Sequence, residues 1–364
     1  MKASPVMAAL QRCRGLSQML VHTGQHYDLK MSGVFFDELS LPKPDVNLEV
    51  GSASHASQTA QIMLRLEEVL LDRRPDLVLV YGDVNSTLAA ALVCVKLGIP
   101  IGHVEAGLRS FDRTMPEEIN RLLTDQVADL LFTPSADADD NLAREGVPGE
   151  RIHRVGNVMI DTLVSLLPLA EQQWDARLAS TVPRQYALVT LHRPSNVDEP
   201  ASLSRTVEAL VRISQRVPVL FPVHPRTRAR LDSSSLNIAE YRRSSGVRGR
   251  DRGAGTGLHL MEPLGYLGFL ALMRHAALVI TDSGGVQEET TFLGIPCLTV
   301  RENTERPITV VLGTNTVVGQ DAERLYHEVD RVLKGEGKRG QVPPLWDGHA
   351  ADRIAEIVAR VHAS

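Results

Sequence analysis

The chain has 364 residues, 43% hydrophobic and 23% charged, with a formal net charge of −5. That is room for about two domains and a large core, and the acidic balance argues against a nucleic-acid or anionic-membrane partner. Three widely separated cysteines, Cys13, Cys94 and Cys297, lack paired zinc-site spacing and predict a reducing compartment with neither disulfides nor a metal. No apolar run is long enough to span a membrane, and the stretch after Met1-Lys2 does not read as a signal peptide, so a cytoplasmic location is expected.

In chain order, short apolar runs alternate with helical patterns. Residues 77–81 read as a strand entered from Arg74-Pro75-Asp76, followed by a helix over 87–97 that Gly98 closes. Further strands are predicted at 99–104, 130–133 and 152–156. The plan repeats with strands at 186–191, 217–221, 258–260, 277–281 and 296–300. Two such series predict two Rossmann-like halves, each with a parallel sheet covered on both faces. The boundary falls near residues 163–183. Residues 244–257, rich in Gly, Arg and Ser, read as a solvated loop insertion. Ile354, Ile357, Val358 and Val361 lie at helical spacing and predict a terminal helix over 348–361. In this architecture ligands bind at the strand carboxyl ends, in the cleft between halves.

The most pointed motif is Thr281-Asp282-Ser283-Gly284-Gly285-Val286-Gln287-Glu288-Glu289, a glycine turn between a predicted strand and a helix that ends near Gly294. Backbone N–H groups and the positive end of the helix dipole suit a phosphate there. Glu288 and Glu289, placed in the first helical turn, are expected to accept from sugar hydroxyls. Alone, the motif is equally a tight strand–helix turn. Other strand ends deliver Gly82-Asp83, the run from His103 through Glu105 to Arg109, Glu117 after Pro116, His192-Arg193, and His224-Pro225-Arg226. Carboxylates, a histidine and arginines gathered at strand ends fit acid–base chemistry on an anionic substrate. Taken singly, Asp83 reads as a helix cap, Glu117 as a first-turn acid and His224 as a core residue.

These blocks, with Thr23-Gly24-Gln25-His26-Tyr27-Asp28, Gly82 to Thr87, the ungapped run HVEAGLRSFDRTMPEEINR, Glu262 to Leu267 and Arg301 to Pro307, resemble the non-hydrolysing UDP-N-acetylglucosamine 2-epimerase family. The resemblance covers nearly the whole chain in family order. It implies a glycosyltransferase-B-like fold: an N-terminal domain of residues 1–165 plus a C-terminal helix at about 350–364, and a UDP-binding domain of residues 166–349. It implies interconversion of UDP-GlcNAc and UDP-ManNAc by elimination and re-addition of UDP, without metal or redox cofactor, in a homodimer serving cell-surface polysaccharide synthesis. Carried over by position, Asp83, Glu105, Glu117 and His192 are catalytic. Ser283, Gly284 and Gly285 bind the diphosphate, Glu289 the ribose, and Phe269 lies against uracil. Lys2, Arg109, Arg193, His224 and Arg306 complete the substrate contacts.

The chain departs from the family pattern at its start, where an opening strand and a Gly-Thr-Arg-Pro-Glu turn are not seen. The resemblance therefore predicts a missing first β-strand, an N-terminal truncation and weakened stability and activity. Pro194-Ser195-Asn196 and Ile308 depart near the substrate, and Tyr27-Asp28 after Gln25-His26 predicts little activation by a second UDP-GlcNAc. The competing readings are a hydrolysing epimerase, an epimerase of a related UDP-diacetamido sugar, a glycosyltransferase, and an inactive UDP-sugar-binding protein.

Overall fold

Short β-branched runs bounded by Gly, Pro and Asp form parallel strands, and longer amphipathic stretches form the helices that cover them. In the computed structural model, which describes residues 1–24, 41–223, 225–233 and 257–363, the chain divides into two units. The first is Met1–Ser165 with Pro344–Ser364, and the second is Leu166–Pro343. Gln25 to Asp28, His224 and most of the 244–257 loop lie outside the described residues.

The first unit runs α1 (Ala3–Gln11), β1 (Val21–His22), β2 (Val46–Asn47), α2 (His55–Arg73), β3 (Val78–Tyr81), α3 (Asn85–Leu97), β4 (Ile101–Val104), α4 (Pro116–Val127), β5 (Leu130–Thr133), α5 (Ala136–Arg144) and β6 (Ile152–Arg154). Helix α6 (Val158–Gln173) then carries the chain into the second unit. Local signals set these boundaries. Ser54 caps α2 by accepting from the Ser57 N–H at 3.3 Å. Gly98, in the left-handed region at φ 67°, closes α3. Pro116 opens α4, with Glu117 and Glu118 in its first turn. Strands β3, β4, β5 and β6 make a parallel sheet in that order. Among the described residues β1 pairs with β2 alone, so a two-stranded sheet stands separate from the four-stranded one. One face of the larger sheet packs Ile62, Leu66, Leu70, Ala89 and Cys94 from α2 and α3. Burying a side chain such as Ile62 contributes about 1.5–3 kcal/mol.

The second unit contains β7 (Ala187–Thr190), α7 (Pro194–Val197), α8 (Pro200–Ser214), β8 (Val219–Pro222), α9 (Pro225–Ser233), β9 (Leu258–Met261), α10 (Tyr266–Arg274), β10 (Leu278–Thr281), α11 (Gly284–Leu293), β11 (Cys297–Thr299), α12 (Pro307–Val311), β12 (Asn315–Val317) and α13 (Ala322–Leu333). Its sheet has the order β9-β8-β7-β10-β11-β12, all parallel. Numbered from β7, that is the doubly wound order 3-2-1-4-5-6, whose direction reverses between β7 and β10. The crevice beyond the carboxyl ends of those two strands is where such a sheet takes its ligand.

The last helix, α14 (Ala350–Ala363), belongs to the first unit. Its Ile354, Ala355 and Val358 join Val6 and Leu10 of α1 and Phe132 of β5 in one apolar cluster. Asp161 accepts from the first N–H groups of α14, Ala350 at 3.2 Å and Ala351 at 2.6 Å, which fixes its start. The Trp346 indole donates to the Pro134 carbonyl at 2.9 Å just before it.

Candidate active site

In the second unit the switch point itself carries chemistry. β7 delivers His192 and β10 delivers Asp282. Asp282 is fully buried, and its carboxylate accepts from the His192 N–H (3.0 Å), the Arg193 N–H (2.9 Å) and Asn196 Nδ2 (3.0 Å). His192 Nδ1 lies 3.0 Å from Asp282 Oδ1, while the ring is 52% exposed. Burial alone would raise the Asp282 carboxyl, but the hydrogen bond and charge of His192 with the other donors hold it below its ordinary value. A carboxylate on Nδ1 fixes the tautomer and turns Nε2 outward, which is how an imidazole is set up for proton transfer.

The residue after Asp282, Ser283, is the N-cap of α11, and its backbone N–H is held by Thr281 Oγ1 at 3.0 Å. At Gly284 a side chain would have to push aside the ends of Arg306 and Glu305. A Cβ there would stand 2.5 Å from Arg306 Nη1 and 2.8 Å from Glu305 Oε1. Three arginines meet two buried carboxylates beside this helix start. Glu305 Oε1 is 2.6 Å from Arg306 and 3.5 Å from Arg193, and its Oε2 is 2.8 Å from Arg301. Glu288 Oε1 lies 3.0 Å from Arg306 Nε. The cluster thus brings three positive charges against two negative ones at the positive end of a helix, which favours an anion.

One sequence expectation is corrected here. Because α11 starts at Gly284, no acidic residue falls in its first turn, and Glu288 and Glu289 lie one turn deeper, both buried. Glu288 is an ion-pair partner of Arg306. Glu289 accepts from the Tyr266 hydroxyl at 2.7 Å, and burial pushes its carboxyl up to about 7 against that bond. Phe269 is half-buried on α10, the helix that also carries Tyr266.

In the first unit β3 ends at Gly82-Asp83 and β4 at Glu105, side by side on one edge of a parallel sheet. Asp83 Oδ2 is held by Arg121 at 3.0 Å (Nε) and 2.9 Å (Nη2), and Val84 rather than Asp83 is the N-cap of α3. Arg121 also binds Glu118, which in turn accepts from the Ser110 and Phe111 N–H groups at 3.0 and 2.8 Å. So α4 fixes the loop after Glu105 and aims Asp83. Glu105 itself has φ 75°, a left-handed conformation that a non-glycine residue adopts only where its surroundings hold it. Lys2 Nζ lies 2.8 Å from Glu105 Oε1 and covers Gly82, where a Cβ would meet that nitrogen at 2.5 Å. Glu117 is half-buried in the first turn of α4.

Arg109, expected on the substrate, is corrected to a scaffold residue. Its side chain is 1% exposed and its guanidinium is committed to Glu145 (2.7 and 2.6 Å), to Asp125 (2.7 Å) and to the Leu108 carbonyl (2.7 Å). Asp282, Arg121, Tyr266, Arg301 and Glu305 lie within the blocks that carry the family resemblance, but the sequence gives none of them an individual role.

A family model described as UDP-N-acetylglucosamine 2-epimerase matches residues 8–359. The UDP-N-acetylglucosamine 2-epimerase of Methanococcus maripaludis is 42% identical over 98% of this chain and 94% of that protein. The UDP-2,3-diacetamido-2,3-dideoxy-D-glucuronate 2-epimerase of Pseudomonas aeruginosa is 40% identical over 99% of this chain and 96% of its own. The Methanocaldococcus jannaschii UDP-GlcNAc 2-epimerase, solved in complex with UDP-GlcNAc and UDP, is 42% identical and superposes with a TM-score of 0.87 over 99% of this chain and 96% of that one.

Proposed function

The chain belongs to the UDP-N-acetylglucosamine 2-epimerase family, and we propose that it interconverts UDP-GlcNAc and UDP-ManNAc without net hydrolysis. The observation that carries this reading is the Asp282–His192 pair at the switch point, one residue from the α11 helix start. Ser283, Gly284 and Gly285 take the diphosphate, with Arg193 and Arg306 adding positive charge. Glu289 binds the ribose and Phe269 lies against uracil. His192, oriented by Asp282, donates to the departing UDP oxygen. Asp83, Glu105 and Glu117 supply the proton transfers at C2, with Lys2 holding Glu105.

The step balances without an added reactant. A carboxylate takes the C2 proton, the C1–O bond breaks, and UDP leaves with its electron pair, giving 2-acetamidoglucal. A proton then returns to C2 on the opposite face, and the UDP oxygen re-forms the bond to C1. Inverting one carbon needs an acid–base group for each face of the sugar, a task this reading divides among the three carboxylates. Departing UDP needs donors and positive charge, which the α11 start supplies. The working state in this reading is a cytoplasmic homodimer serving cell-surface polysaccharide synthesis; among the described residues no helix is long and apolar enough to cross a membrane.

Incubation with UDP-GlcNAc followed by NMR of the products tests the reading. A mixture of UDP-GlcNAc and UDP-ManNAc supports it. Stoichiometric free ManNAc and UDP would replace it with a hydrolysing epimerase. The relative acting on a diacetamido-glucuronate nucleotide makes that sugar the second substrate to assay. Turnover of it alone would move the specificity and leave the mechanism.

A further inference from the structure

His103 lies directly before Val104 and Glu105 on β4 and is completely buried. Its two ring nitrogens have two defined partners. Nδ1 is 2.6 Å from Asp125 Oδ1, and Nε2 is 2.8 Å from the Gly82 carbonyl. A carbonyl oxygen only accepts, so Nε2 must carry a hydrogen. Asp125 also only accepts: its Oδ2 takes the Gly107 N–H at 3.1 Å and Arg109 Nη1 at 2.7 Å. Burial works against its charge, but His103 and Arg109 together hold the carboxyl below its ordinary value.

We infer that His103 is a positioning residue for Asp83 and Glu105. It stands in one side-chain cluster with Asp125, Arg109 and Glu145. Each end of it grips a turn that carries a carboxylate. The His103 Nε2–H holds the Gly82 carbonyl, in the peptide leading into Asp83, and Gly82 needs its positive φ of 66° to make that turn. Asp125 holds the N–H of Gly107, two residues after Glu105. One side-chain cluster therefore fixes both turns at the ends of β3 and β4. This inference rests on the reading of Asp83 and Glu105 as proton-transfer groups.

Steady-state kinetics of the full chain, in variants shown to unfold cooperatively, tests it. His103→Gln, which keeps a donor toward Gly82, should lower kcat about 10-fold or more with KM changed less than about threefold, and His103→Asn should lower kcat further. Unchanged kcat in both variants overturns the positioning role. If the native chain fails to epimerise, the proposed function falls; a native chain that epimerises beside two variants of unchanged kcat overturns only the positioning role.

Discussion

Asp282→Asn is the most informative single change. The carboxylate takes four donors, the N–H groups of His192 and Arg193, Asn196 Nδ2 and the His192 ring, on two oxygens inside a fully buried site. Asparagine has one acceptor oxygen, so its amide NH2 faces at least one donor already in place. An unsatisfied buried group costs about 1–3 kcal/mol, and stability should fall by that order in urea unfolding. The kinetic effect should be larger than a general loss of stability explains. Without the carboxylate, His192 loses the partner that fixes its tautomer, and general acid–base contributions are about 10²–10⁴-fold. The expected loss in kcat is about 100-fold or more, or about 3 kcal/mol of transition-state stabilisation. UDP affinity, measured by calorimetry, should stay within about threefold because the Ser283–Gly285 turn is untouched. Adding His192→Ala to Asp282→Asn should cost little more, since the two act as a unit. A folded Asp282→Asn protein that turns over within threefold of the native chain would refute the dyad.

His192→Ala and Glu117→Gln should each lower turnover about 100-fold or more in a steady-state epimerisation assay, with cooperative unfolding retained. Phe269→Ala should weaken UDP binding by about 1 kcal/mol, roughly fivefold in Kd by calorimetry, if the ring stacks on the base. Glu289 makes a pH prediction. Its folded value near 7 lies above its ordinary value of 4.5, so the native state holds the proton more tightly than the unfolded chain. Stability from this group is therefore greatest below about 4.5, falls as pH rises to about 7, and is flat above, a change of order 3 kcal/mol. Glu289→Gln should remove that slope in denaturant titrations and still accept from Tyr266. An unchanged slope would contradict the burial argument.

Strands β3 to β11 were legible because each is an apolar run with its own stop signals, as for β10 between Arg274 and the glycine turn, whereas the short β12 (Asn315–Val317) was not. The catalytic candidates at strand ends were legible for the same reason: parallel strands place their carboxyl ends on one edge. What stayed hidden depends on distant partners. Asp282 finds His192 ninety residues away in sequence, and Arg109 reads as a substrate contact until Glu145, thirty-six residues on, takes its guanidinium. The offset of Glu288 and Glu289 by one turn came from the start of α11, which only the backbone fixes. The two-residue β1 gives no periodic signal at all, so its pairing with β2, apart from the main sheet, could not be read from the sequence.

The central claim is that the C2 hydrogen leaves and returns as a proton. Incubating the protein with UDP-GlcNAc in D2O reads this directly. The account predicts deuterium at C2 in both UDP-GlcNAc and UDP-ManNAc as equilibrium is approached. Epimer formed with the C2 hydrogen retained, or no exchange in a protein shown to bind UDP, would contradict it.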